Sequence, residues 1–130
     1  MAIDSSSKAS HKEAATSFLR LVVAGKIREV YATYVRPDMR HHNMAFAEDP
    51  ASLEKAMEEN HSKHPHKVLD IKHTLEDGDL VAVHSHIRPH AADPGFAAVH
   101  LFRFGGDRIA ELWDIEQPVP VESPNKIGMF

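Results

Sequence analysis

The sequence has no cysteine, which excludes disulfides, thiolate nucleophiles and thiolate metal sites at a stroke. It has no apolar run approaching the roughly 20 residues that span a bilayer, so no membrane association is expected. The opening stretch, MAIDSSSKASHKE, lacks an apolar core and does not read as a secretory signal; a cytoplasmic protein is the expectation. Basic residues are not in excess. Lys and Arg number 15 against 19 Asp and Glu, for a net charge of −4, and no basic patch is present to neutralise phosphates, which argues against a nucleic-acid partner. Internal repeats and low-complexity linkers are also missing. A length of 130 residues suits one domain, 1–130, long enough to bury a core without staples.

Histidine is what the chain has in quantity, 11 in all. Protonating them adds 11 positive charges to a net of −4, so the molecule changes sign within the titration range of imidazole, near pH 6.5 for a free side chain. That bears on solubility first, and on function only if some of the rings converge on a pocket.

Residues 1–9 carry no pattern and are expected to be disordered. Ser10 followed by Glu13 reads as a capping box. Ala14, Phe18, Leu21 and Val22 then recur at helical spacing up to Gly25. A second helix fits 26–34, with Pro37 as its stop, and 39–43 (MRHHN) fits a short strand. Asp49-Pro50 opens a third helix to about residue 62, with Leu53, Ala56 and Met57 inward. The period then changes to two. Strands are expected over 68–75, 80–89 and in the two arms of 97–117, with turns at 76–79, 90–95 and Gly105-Gly106. Pro118 and Pro120 close the last strand, and 121–130 is a polar tail. Helices first and an antiparallel meander afterwards means α+β, with helices on one face of a curved antiparallel sheet.

The final hairpin, AAVHLFRFGGDRIAELWDIEQ, is hydrophobic except for His100 in one arm and Asp114 in the other. A three-residue loop, Gly106 to Arg108, would pair position 100 with 114 and set the two side chains on one face; a two-residue loop would separate them. The three-residue loop is the expected register. The shared face then holds Ala98, His100, Phe102, Phe104, Leu112, Asp114 and Glu116. A carboxylate and an imidazole on an apolar wall can tune each other's pKa and serve as base and hydrogen-bond donor. Residue types alone leave open that the pair is an ordinary structural contact.

Other histidines have plainer readings. Gly78 followed by His84-Ser85-His86 matches the opening of a cupin metal motif, and His-x-His on a strand puts two imidazoles on one face. The Glu that should follow is missing and Arg88 intrudes, so polar lining of a pocket or a subunit contact competes with metal, and the face they take stays open. His61, His64 and His66 surround a helix end, where cations are favourable. His41 and His42 face opposite ways in an extended segment, so only one can enter a pocket. Trp113 alternates away from Asp114 onto the outer face, where a partner subunit would cover it.

The run HLFRF…GDRIAELWDIEQPVP resembles the C-terminal half of the SnoaL-like polyketide cyclases, members of the nuclear transport factor two-like superfamily. The matching residues are His100, Phe102-Arg103, Asp107-Arg108-Ile109 and Glu111-Leu112-Trp113-Asp114. RPDMRHHN resembles a segment that often reads Pro…His-Asn there. The resemblance implies a conical half-open barrel, three N-terminal helices packed on a curved antiparallel sheet around one apolar pocket. It implies Asp114 as acid/base, His100 as a pocket group that hydrogen-bonds a developing oxyanion, and His42 as a third polar wall. His86, Phe102, Leu112 and Met57 are expected to contact substrate. Two positions depart from the pattern: Leu112 stands where a His often precedes the Trp, and His100 where an Asp is common.

The expectation is a cofactor-independent, metal-free enzyme of cyclase, isomerase or dehydratase type. It would act next to the carbonyl of a small hydrophobic compound and form a homodimer through the outer sheet face. The alternatives are a non-catalytic small-molecule-binding module on the same fold and a metal-dependent enzyme using His42, His84, His86 or His100.

Overall fold

The computed structural model describes residues 10–130; the expected disorder of 1–9 lies outside them. Helix α1 spans His11–Val23. The Ser10 hydroxyl accepts from the Glu13 N–H at 3.1 Å and the Glu13 carboxylate accepts from the Ser10 N–H at 3.3 Å, which satisfies two of the donors a helix start leaves free. The helix buries Ala14, Ala15, Phe18 and Leu19. It ends in a Schellman turn: Lys26 N–H donates to Leu21 O and Gly25 N–H to Val22 O, with Gly25 at φ +85°.

Helix α2 (Ile27–Tyr34) runs directly into strand β1 (Val35–His41). Pro37 therefore does not stop the helix. It lies inside the strand, at the sheet edge, where a residue without an N–H costs no ladder bond. The strand expected at 39–43 starts earlier, directly after α2, and ends at His41, the last residue that pairs with β5. Helix α3 (Pro50–Lys63) is capped by Asp49, whose carboxylate accepts from the Ser52 N–H at 2.9 Å.

Strands β2 (Val68–Asp77), β3 (Leu80–Arg88), β4 (Phe96–Gly105) and β5 (Arg108–Pro118) form the expected meander. Strand order is β1-β5-β4-β3-β2. β1 joins β5 in parallel, so the sheet is mixed and not wholly antiparallel. Three helices pack on this open five-stranded sheet, an α+β arrangement. The core lies between them: Phe102 meets Phe18 edge-on, with ring centroids 5.7 Å apart, over fully buried Val81, Val83 and Ile109.

The β4–β5 hairpin reaches the expected pairing by another route. Its turn has two residues, Gly106 and Asp107, with Gly105 opposite Arg108 and Phe104 opposite Ile109. Gly106 takes φ +67°, the positive first position of a type II′ turn. A bulge then accommodates Ala110, so that Arg103 faces Glu111 and His100 faces Asp114. The extra residue reverses the parity the short turn sets.

Candidate active site

A cavity of about 550 Å³ opens between α1, α3 and the inner face of the sheet. Phe18, Leu19 and Val22 of α1 and Leu53 and Met57 of α3 form its apolar side. From the sheet come Leu69, Ile87 and Phe96, and with them His100, Asp114 and Glu116. The cross-strand pairing on β4–β5 brings His100 and Asp114 to one wall.

His100 is held neutral. Burial pushes its imidazole down to about 4, against the smaller upward pull of the Asp114 charge. Its Nδ1 is shut off from solvent without a hydrogen-bond partner among the described residues. Asp114 does have a partner: its Oδ2 accepts from Asn43 Nδ2 at 2.8 Å. The orientation of that amide is set locally, because Asn43 Oδ1 accepts from the Ala45 N–H at 2.9 Å, leaving the NH₂ end for the carboxylate.

Asn43 is itself fixed by His41. The Asn43 N–H donates to His41 Nδ1 at 3.2 Å, and His41 Nε2 donates to Ala47 O at 2.5 Å. This makes His41, buried in the sheet edge, the inward member of the adjacent pair. His42 faces the other way. Its Nε2 lies 2.6 Å from Glu111 Oε2, its ring stacks on Trp113, and Arg103 Nε donates to the other Glu111 oxygen at 3.0 Å. Those bonds hold the Glu111 carboxyl below its usual range, the His42 bond most of all. The expected third polar wall is therefore not His42; parity puts that side chain on the outer face, and Asn43 reaches the cavity instead.

His86 also lies on the outer face. On β3 the inward positions are Val81, Val83, Ser85 and Ile87, so His84 and His86 point outward together. His86 Nε2 donates to Pro94 O at 2.7 Å and its ring stacks on Phe130, while His84 meets His73, Nδ1 to Nδ1, at 3.0 Å. Among the described residues no three His, Asp or Glu side chains gather as metal ligands would. Phe102 and Leu112 face inward but sit in the core below the cavity, because the helices close over that end of the sheet. Met57 lines the cavity, and its Sδ accepts from the Tyr31 hydroxyl at 3.5 Å.

Glu116 and Lys67, charged residues that also line the cavity, were not among the expected site groups. Glu116, two positions after Asp114 and on the same face, is raised by burial and then by the Asp114 charge, with Lys67 opposing. Lys67, whose Nζ donates to Asn60 Oδ1, is lowered by burial against the pull of Glu116. The period-two pattern of β5 already marked Glu116, and the segment RPDMRHHN contained Asn43 without giving it a role; nothing local marked Lys67.

Three helices packed on an open five-stranded mixed sheet, with a cavity walled in part by polar groups from the last two strands, define an α+β fold of the NTF2-like class. The chain belongs to the SnoaL-like domain family, whose model matches residues 15–112. Similar solved structures include wild-type IdmH from Streptomyces antibioticus, 16% identical with a TM-score of 0.72 over 84% of this chain and 93% of that one. A SnoaL-like polyketide cyclase from Agrobacterium tumefaciens is 11% identical, with a TM-score of 0.68 over 84% and 92%. An NTF2-like protein of unknown function from Cytophaga hutchinsonii is 14% identical, with a TM-score of 0.68 over 85% and 93%. No curated protein matches the sequence.

Proposed function

We propose that the cavity is a cofactor-independent acid–base site, of cyclase, isomerase or dehydratase type, for a small to medium hydrophobic carbonyl compound. One observation carries this reading: Asp114 and His100 stand opposite each other on β4–β5 and line the same wall of a cavity whose other side is built from apolar residues of α1 and α3. The Asp114 carboxylate takes a proton from the carbon next to the carbonyl. The electron pair moves onto the carbonyl oxygen, which accepts a hydrogen bond from the neutral His100 ring. An apolar surround strengthens such a donor because no water competes for the developing charge. Asn43 keeps the carboxylate aimed.

The step can be tested without the natural substrate. Nitrobenzisoxazole opens when a base removes its carbon-bound proton, and it fits an apolar cavity. Asp114→Asn is expected to lower the rate by about 100-fold or more, the usual worth of a positioned base, with the fold intact by circular dichroism. An unchanged rate in a variant that still takes up an apolar dye would leave a binding module on the same fold.

The reading includes a homodimer through the outer face of the sheet. That face carries Ile115, 57% exposed, beside partly buried Val99, Leu101 and Trp113.

A further inference from the structure

Glu116 has no part in the step above, yet it stands on the wall of the same cavity. It follows Asp114 by two positions on β5, so both side chains leave the same face of the strand, about 7 Å apart along it at a strand's rise per residue. Among the described residues its carboxyl accepts no side-chain hydrogen bond and forms no ion pair, whereas Asp114 is engaged by Asn43. Two carboxyl groups on the β5 wall of one cavity, one tethered and one free, are placed for different work.

We propose that Glu116 is the cavity's acid, paired with Asp114 as base, and that the site eliminates water from β-hydroxy carbonyl compounds. The proposal rests on the reading of Asp114 as base. Asp114 forms an O–H bond with the hydrogen on the α-carbon, and the C–H pair becomes the enolate. The bond from the β-carbon to its hydroxyl oxygen then breaks, and Glu116 gives its proton to the departing oxygen, forming water. The enolate pair closes the new carbon–carbon double bond and restores the carbonyl. Asp114 is left protonated and Glu116 ionised, and one proton passed from the first to the second resets the site. Because both groups project from one wall, hydrogen and hydroxyl leave from the same side of the substrate.

The geometry distinguishes this reaction from its neighbours. A shift of a double bond can be served by one base moving a proton along one face, and an aldol closure needs no hydroxyl to depart. Elimination needs a base and an acid a few ångströms apart, because hydroxide is a poor leaving group unless protonated. Glu116 keeps an exposed side, yet desolvation against the cavity wall and then the Asp114 charge both raise its carboxyl above the ordinary range, with Lys67 opposing, the direction an acid requires.

The aldol adduct of acetone and para-nitrobenzaldehyde is a β-hydroxy ketone whose dehydration to the enone is read by absorbance. Nitrobenzisoxazole opening, which needs a base and no acid, is measured beside it. In Glu116→Gln the ratio of dehydration rate to ring-opening rate is expected to fall about 100-fold from the wild-type ratio. In Asp114→Asn both rates fall. Ring opening by the wild type without dehydration, release of para-nitrobenzaldehyde in place of the enone, or an unchanged ratio in Glu116→Gln would each overturn the acid role while leaving Asp114 as base. Absence of ring opening in the wild type would overturn the base and the acid together.

Discussion

Burial of one imidazole makes the stability of the whole chain depend on pH. Burial pushes the His100 imidazole down to about 4 from an ordinary 6.5. As pH falls below about 6.5 the unfolded chain takes up a proton at this position and the folded chain does not, so unfolding is favoured. The loss grows down to about pH 4 and then levels off. Between pH 7 and 5 it amounts to about 2 kcal/mol from this residue. Urea midpoints measured across that range should slope less in His100→Gln than in the wild type; equal slopes would mean that the ring is solvated after all. His100 and Asp114 were legible in the sequence as polar interruptions of an apolar hairpin. Asn43 was not, because nothing in its neighbourhood gives its side chain a direction. That direction comes from a buried His41 and from a strand 71 residues further on. The preference for His42 failed for the same reason. Adjacent residues of a strand face opposite ways, and only the pairing of His41 with Leu112 decides which one faces in.

At the scale of elements, the turn between α1 and α2 carries more constraint than its length suggests. Gly25 sits at φ +85°, and a Cβ there would come within 2.4 Å of the His61 ring on α3. One glycine thus ends α1 and also lets α3 close over the cavity. Gly25→Ala should cost about 1–3 kcal/mol, the usual penalty of a non-glycine residue held in a strained backbone region, with further loss from the clash. In a His61→Ala background the clash is relieved and the backbone strain remains, so the two changes should couple in a double-mutant cycle of thermal or urea unfolding. Strict additivity would show that α3 does not press on this turn. The helices were legible because Ser10, Gly25 and Asp49-Pro50 are local signals for local events. The β4–β5 register was not legible in its mechanism. A two-residue turn and a bulge at Ala110 give the same His100–Asp114 pairing as a three-residue loop, and from sequence the two solutions differ only in where the extra residue is placed. The parallel docking of β1 on β5 is likewise a long-range event with no local signature.

For the molecule as a whole, the two faces of the sheet divide the work. The inner face holds the cavity and the core, while the outer face presents apolar side chains with polar groups interleaved. Trp113 is already partly covered by the stacked His42 ring, 4.8 Å away, and Glu111 ties His42 to Arg103. At the other edge the terminal Phe130 lies against His86 and His84. Between these covered edges Val99, Leu101 and Ile115 form an apolar strip across β4 and β5. Exposed patches of this sort on a small domain mark contact surfaces, and a twofold contact would let one strip cover its own copy. Sedimentation equilibrium is expected to give twice the chain mass of 14.5 kDa. Ile115→Lys, at the most exposed position of the strip, should return the single-chain mass, because burying an unpaired ammonium in an apolar contact costs more than the contact returns. The inner-face chemistry should survive that change, since residue 115 points away from Asp114. Nitrobenzisoxazole opening per chain is therefore expected to stay within about twofold, on the ordinary additivity of distant sites. A wild type that sediments as a single chain would sink the dimer and leave the cavity argument standing.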